Sequence, residues 1–182
     1  MKTIVLALAY AALSLAGAGA AIAAGDSKES LNKDVQAALE TLYQKEAGAK
    51  ALADKAKGIL VFPNVRKAGF VVSGLHGDGA MLKKGTIADY YTTSAIGVGL
   101  EAGAQSFAYA LLFMTDEALK DFESRDDFEI GAGANVVFVD SGAAAGAGSA
   151  VSPAGIYGFT FGQKGLMAGV SLQGTKISKS KK

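Results

Sequence analysis

The sequence predicts an α+β domain in which an N-terminal helix, or a pair of helices, packs on a mainly antiparallel β-sheet. Apolar side chains between residues 26 and 57 recur at spacings of three and four, which is the pattern of an amphipathic helix. From Gly58 onward the apolar runs are short, and glycine-containing turns separate them. Many short strands after a helical start favour antiparallel pairing. We expect the sheet either to remain open or to close as a barrel.

The predicted helices have recognisable ends and one weak point. Gly48 lies in the middle of the N-terminal helical segment, where glycine costs roughly 1 kcal/mol relative to alanine. The segment is therefore expected as one helix, or as two that divide at Gly48. A second short helix is predicted near residues 115–124, because Thr115 can cap its first turn. Asp116 and Glu117 then lie at the positive end of the helix dipole, where acidic residues are stabilising.

Residues 90–114 form a long, mostly apolar stretch that contains one charged residue, Glu101, and no proline. A membrane span needs about 20 consecutive apolar residues, and polar residues interrupt this stretch too often for that. Repeated glycines disfavour a helix, whereas glycine in a strand marks a bend or the close approach of another backbone. The stretch is therefore predicted to form two buried strands that meet near Gly103.

The first 23 residues have the pattern of a secretory signal peptide. Lys2 supplies the positive start, residues 4–15 the apolar core, and Ala21 and Ala23 a small-residue cleavage site. Cleavage is expected to leave a periplasmic or secreted protein, either free or peripheral to a membrane. Residues 3–24 carry no charge and are also long enough to span a bilayer, so their retention as an anchor is the alternative.

The mature chain is expected to comprise a helical segment at residues 24–57, a β-rich domain at 58–178 and a basic tail at 179–182. The sequence has 18 basic and 17 acidic residues, and loss of Lys2 with the signal peptide makes the two counts equal. Nucleic acid is not an expected partner, since its binding needs a concentrated basic face. The sequence contains no cysteine, so an exported protein of this sequence is held together without disulfides.

Catalytic chemistry has few candidates in this sequence. His76 is the sole histidine and cysteine is absent, which excludes cysteine-based triads and the usual zinc ligand sets. His76 and Asp78 share a glycine-rich segment, but a single histidine of this kind is typically solvated. The acidic residues between positions 116 and 129 lack the Asp/Asn–Gly order of a calcium loop. We therefore expect no enzymatic activity, no catalytic residue, no metal site and no cofactor.

Three long strings carry a specific resemblance to a known family. They are GILVFPNVRKAGFVVSGLHGDGAML, YYTTSAIGVGLEAGAQSFAYALLFM and FGQKGLMAGVSLQGTKIS, and they contain in order the short elements GILVFP, KAGF, GAQS and KGLMAG. Over about residues 51–178 the chain resembles the bacterial members of the SYLF family. The resemblance implies an α+β domain without catalytic activity that binds lipids, which are phosphoinositides in the eukaryotic members.

Basic residues near these strings are the candidate headgroup partners. Eukaryotic members resemble one another in using an amphipathic N-terminal segment together with basic residues, but here a signal peptide occupies that position. Arg66–Lys67 and Lys83–Lys84 sit at predicted turns, from which long cationic side chains can reach a membrane surface. These four residues, with the C-terminal lysines, are predicted to bind lipid headgroups.

Two functions remain open at this point. The first is an exported lipid-binding module that contacts anionic phospholipid at a membrane surface or holds an acyl chain in a cavity. The alternative is a non-catalytic structural or protein-interaction component of the bacterial envelope, with an unidentified protein partner. Binding of the chain to vesicles with and without anionic lipid distinguishes the two.

Overall fold

The structure is a computed structural model, and it describes residues 27–46, 48–131, 136–139, 155–165 and 171–180, apart from the side chains of residues 99–102. The predicted signal peptide lies outside these ranges. The described helices are α1 (Lys28–Lys45), α2 (Ala49–Ala53) and α3 (Asp116–Glu123). The described strands are β1 (Gly58–Lys83), β2 (Thr86–Phe113), β3 (Asp127–Glu129), β4 (Val136–Phe138), β5 (Ile156–Gly165) and β6 (Lys176–Lys179). This α+β architecture confirms the predicted fold class.

Both helical predictions are confirmed. The hydroxyl of Ser27 caps α1 by accepting a hydrogen bond from the backbone N–H of Ser30 at 3.2 Å. Gly48 has a φ of 89° and separates α1 from α2, in a conformation that glycine adopts without steric penalty. Thr115 caps α3 by accepting from the N–H of Ala118 at 3.1 Å. Within the described ranges, none of the helices has the length and apolar character needed to cross a bilayer.

One long antiparallel hairpin, formed by β1 and β2, dominates the sheet. Its pairing runs from Gly58 and Phe113 to the turn at residues 84–85. The two strands predicted to meet near Gly103 are therefore a single continuous strand. Gly103 pairs with Gly69 and has a φ of 135°, so here glycine marks a bend within paired strands and not the end of a strand.

The hairpin folds over on itself at residues 69–73, so that the two halves of β1 face each other. Val71 is the unpaired residue of a bulge at this bend and has a φ of 67°. This left-handed conformation is rare for a β-branched residue and costs on the order of 1–3 kcal/mol. Beyond the bend, β1 returns so closely that a Cβ atom at Gly79 would lie 2.5 Å from the carbonyl oxygen of Val61.

The other strands extend this hairpin along β2. The half of β2 next to the turn pairs with β6, and β6 pairs with β3. The other half of β2 pairs with β5, and β4 runs parallel to β5. The described strands thus form a mainly antiparallel sheet, as predicted, which is curled as a half-barrel and is not closed as a barrel.

Apolar clusters on the two faces of the curled sheet hold the fold together. The cluster on one face includes the buried residues of α1 and α2, and the cluster on the other includes those of α3. In the second cluster the rings of Phe62 and Tyr109 stack with centroids 4.7 Å apart. The buried hydroxyl of Tyr109 donates to the Thr93 hydroxyl at 2.7 Å, and burial raises the pKa of Tyr109. This hydrogen bond ties the two halves of β2 to each other.

Candidate functional site

Three neighbouring strands place two cationic residues in one row across the sheet. Arg66 on β1 pairs with Ser106 on β2, and Ser106 pairs with Lys164 on β5. Neighbouring strands lie about 4.8 Å apart, so the backbones at Arg66 and Lys164 are roughly 10 Å apart. Paired residues of adjacent strands project from the same face of a sheet. Long side chains at these two positions can therefore reach a common ligand.

A surface depression of about 510 Å³ lies along this row. Its cationic side chains are those of Arg66, Lys67 and Lys164, and none of its nine described lining residues is acidic. The depression is therefore locally positive in a chain whose basic and acidic residues nearly balance. The full set of described lining residues is Asn64, Arg66, Lys67, Ala68, Ala104, Gln105, Ser106, Lys164 and Gly165.

Gln105 lines the depression and pairs with Lys67, one position from the row of Arg66, Ser106 and Lys164, so its side chain projects from the other face of the sheet. The residue is 7% exposed, and its Nε2 atom has no hydrogen-bond partner among the described residues. A buried polar group without a partner costs about 1–3 kcal/mol, so an acceptor supplied by a ligand or by water stabilises this amide. The three cationic residues that line the depression suit the oxygen atoms of a phosphate or another anion.

A larger groove of about 670 Å³ continues from the depression and runs between α1 and the sheet. The two share Asn64, Ser106 and Lys164 as lining residues. The charged residues that line the groove are Asp34 and Lys45 on α1 and Lys164 on β5. Its apolar lining consists of Ala37, Ala38, Pro63, Phe107, Ala108 and Phe161. A groove that combines apolar and charged groups suits an elongated amphipathic ligand.

The two predicted basic pairs lie in different parts of the fold. Arg66 and Lys67 line the depression, whereas Lys83 and Lys84 lie at the hairpin turn. Because β1 folds over at residues 69–73, this turn is at the end of the sheet opposite the bend. Lys83 forms an ion pair there, with its Nζ 2.5 Å from Oε1 of Glu123, and Lys84 is exposed. The four residues therefore do not converge on one ligand.

Two of the C-terminal lysines lie on β6 and form ion pairs with residues of the neighbouring part of the fold. Lys176 Nζ lies 3.3 Å from Oδ2 of Asp127, and Lys179 Nζ lies 2.8 Å from Oδ1 of Asp89. The hydroxyl of Ser178, and then the ammonium of Lys176, hydrogen-bond to Asp127 and lower the pKa of its carboxyl group. These contacts hold β6 against its neighbours, which gives Lys176 and Lys179 a role in the fold.

Lys164 is the site residue that sequence reasoning missed. It lies within residues 163–165, which have the composition of a turn, and it is distant in sequence from the basic pairs. Only the pairing of β5 with β2, and of β2 with β1, brings it to Arg66. The KGLMAG string that begins at Lys164 was a sequence signal for family resemblance, but it gave no indication of this proximity.

The candidate catalytic pair is spread along an exposed part of β1. His76 is exposed, and the hydroxyl of Thr92 donates to Oδ1 of Asp78 at 3.0 Å. Among the residues that the structure describes, no three or more His, Cys, Asp or Glu side chains are grouped so that they could hold a metal ion. Among the described residues, the cationic depression and the adjoining groove are therefore the candidate functional site.

The described residues form a small α+β domain with a cationic depression on its surface. Residues 94–182 match the model of the family described as Ysc84: Las17-binding protein actin regulator. This matched part of the chain belongs to the family, also called SYLF, which confirms the resemblance found in the sequence. An SH3 domain-containing protein of Schizosaccharomyces pombe is 30% identical over 145 residues, which make up 76% of this chain and 34% of that protein. The chain thus spans about a third of the length of this relative.

Proposed function

We propose that this domain is exported and binds anionic phospholipid at the depression formed by Arg66, Lys67 and Lys164. The observation that carries the proposal is the strand pairing that places Arg66 and Lys164 in one row across the sheet, at a depression that Lys67 also lines. A lipid phosphate supplies the negative charge and the acceptor oxygens that such a set of groups requires. Membership of the SYLF family supports a lipid ligand.

Local charge has to provide the attraction to the membrane, because the whole chain is nearly neutral. Each lysine or arginine close to an anionic surface contributes about 1 kcal/mol within a Debye length. Three such residues together correspond to roughly a hundredfold preference for anionic over neutral membranes. This preference is expected to weaken with added salt, since the Debye length falls from about 8 Å at physiological ionic strength to about 3 Å at 1 M.

Vesicle co-sedimentation tests the proposal directly. The protein is mixed with vesicles of phosphatidylcholine alone and with vesicles that also contain phosphatidylglycerol, at low and at high salt. We expect it to sediment with the anionic vesicles at low salt and to be released by salt, because the contact is electrostatic. Equal binding to both kinds of vesicle, or binding to neither, would contradict the proposal.

Mass spectrometry of lipid extracted from the purified native protein tests the groove between α1 and the sheet. A phospholipid bound in about equal amount to the protein would indicate that an acyl chain occupies the groove. Absence of co-purified lipid, together with salt-sensitive vesicle binding, would indicate contact at the surface only. The two experiments together distinguish a carrier of single lipids from a peripheral membrane protein.

Export predicts a defined mature N-terminus. Because the small residues Ala21 and Ala23 follow an apolar core, cleavage is expected to leave Ala24 or Gly25 as the first residue. Intact-mass measurement of protein from the periplasm or the medium checks this. A full-length chain recovered only from the membrane fraction would show that residues 3–24 remain as an anchor.

The alternative function is that of a protein-interaction component of the envelope. It is favoured by the description of the family, which names binding to the protein Las17 and regulation of actin. For this chain, the partner would be a protein of its own compartment. Crosslinking of the exported protein to such a partner, combined with failure to bind any vesicle, would support this alternative over lipid binding.

A further inference from the structure

Five apolar side chains are exposed at the bend of the hairpin, and we call them the apolar tip: Phe70, Val71, Val72, Ile96 and Val98. Phe70 is 78% exposed, Ile96 84% and Val98 82%, while the two other valines are about half exposed. Scattered exposed apolar residues are ordinary on soluble proteins, but a contiguous group of large ones marks a site of interaction with a partner or a membrane. The apolar tip is therefore a candidate contact surface.

The backbone at the bend holds these side chains together and outward. Val72 pairs with Val98, so that the two side chains lie next to each other on one face. Ile96 pairs with Gly74, and the space around a Cβ atom at Gly74 is empty to 4 Å. Ile96 is therefore not covered by a side chain of the paired strand at this position.

Val71 gives a second indication that the tip has a use outside the fold. It adopts a left-handed conformation, with a φ of 67°, that glycine or asparagine would adopt with less strain. A strained, β-branched, apolar residue at an exposed bend contributes little to the packing of the domain. Transfer of the Val71 side chain from water to an apolar environment would be favourable, because the fold leaves it exposed.

The apolar tip borders the cationic depression. Lys67 lines that depression and also a smaller cavity whose lining includes Ile96 and Val98. Apolar residues next to lysine and arginine form the pattern of proteins that lie in a membrane interface, with cationic groups at the headgroups and apolar groups deeper. An anionic bilayer complements both parts of this surface. Its phosphates can contact the cationic residues, and the hydrocarbon beneath them can contact the apolar tip.

We propose that the apolar tip inserts into the outer part of an anionic bilayer while Arg66, Lys67 and Lys164 contact the phosphates. The inference rests on the proposed lipid-binding function and specifies how the domain binds the membrane, namely by insertion of a bent β-hairpin. The depression supplies attraction and orientation, and the tip supplies contact that salt does not screen. Phe70 and Ile96 are the residues expected to penetrate, because they are large and highly exposed.

A single fluorophore at the tip tests insertion. The chain has no tryptophan, so Phe70→Trp introduces the sole indole. Phe138→Trp is the matched control, because Phe138 is 41% exposed and lies on β4 at the opposite end of the sheet from the bend. Both variants are expressed from the full-length sequence and mixed with vesicles of phosphatidylcholine and phosphatidylglycerol. We expect emission at shorter wavelength and quenching by spin-labelled lipid for Phe70→Trp and no change for the control.

The outcomes separate this inference from the function on which it rests. Co-sedimentation without a change in Phe70→Trp emission overturns insertion and leaves lipid binding in place. Failure of both variants to sediment with vesicles overturns lipid binding and insertion together. A spectral shift without vesicles that grows with protein concentration overturns membrane insertion and assigns the tip to contacts between copies of the chain.

A loss-of-contact variant gives an independent measurement. Ile96→Ser combined with Phe70→Ser removes apolar groups that are exposed in the folded domain, so the melting temperature is expected to stay unchanged. Binding to anionic vesicles at low salt is expected to fall at least about tenfold, although the double variant keeps every charge of the parent protein. Unchanged vesicle binding by the folded double variant overturns the role of the tip.

Discussion

Gly79→Ala is expected to lower the free energy of unfolding by about 1–3 kcal/mol, whereas Gly74→Ala should leave it unchanged or raise it slightly. A Cβ atom at Gly79 would lie 2.5 Å from the carbonyl oxygen of Val61 and 2.5 Å from Cδ1 of Phe62. The carbonyl belongs to the facing half of β1, so it cannot turn away as a flexible side chain would. The whole fold of the hairpin has to open slightly to admit the methyl group.

Gly74 is the control within the same strand. No heavy atom lies within 4 Å of a Cβ atom built there, and its φ is not in the left-handed region. Alanine at such a position restricts the unfolded chain and typically stabilises by about 0.4–1 kcal/mol. Chemical denaturation of both variants measures the difference. Equal unfolding free energies would show that the two halves of β1 do not approach as closely as the structure has them.

Arg66→Gln, Lys67→Gln and Lys164→Gln together are expected to weaken binding to anionic vesicles at least tenfold, and up to about a hundredfold. The three cations line one depression, and each is expected to contribute about 1 kcal/mol near an anionic surface. High salt should reduce binding of the parent protein by a similar factor, because it screens the same contacts. Binding to neutral vesicles should not change.

A second triple variant, which removes three positive charges outside the depression, is the matched control. Lys83→Gln, Lys84→Gln and Lys120→Gln also lose three positive charges, but these residues lie at the hairpin turn and on α3, away from the depression. Its vesicle binding is expected to stay within about twofold of the parent, since those charges lie more than a Debye length from the contact. Equal losses in both triple variants would mean that net charge, and not the depression, drives binding.

The helices could be predicted from the sequence because their signals are local. The spacing of apolar residues, the cap at Thr115 and the break at Gly48 act over a few neighbouring positions. The glycines of β1, in contrast, are compatible with either a turn or a strand, and neighbouring residues do not distinguish the two. Gly74, Gly77 and Gly79 have the composition of a turn, yet they lie within one continuous strand, because a missing side chain suits close approach as well as it suits a turn.

The candidate site was predictable only in part for the same reason. Arg66 and Lys67 stood out because they are adjacent in sequence, but Lys164 joins them through two strand pairings that only the fold reveals. The apolar run that contains Phe70 and Val72 has the composition of a buried strand. Its exposure follows from the position of the bend, which depends on how the rest of β1 packs on itself.

The pairing of β1 with β2 also has a consequence for how the chain acquires its fold. Pairs can be added in order from the turn at residues 84–85, so that each new pair closes a loop only slightly longer than the one before. Gly58 and Phe113, distant in sequence, then meet without a single large loss of chain entropy. β6 lacks this route, because the pairing of Lys179 with Tyr91 closes a loop over about half of the sequence. We expect the hairpin to form early, as a template, and β6 to dock last along its edge.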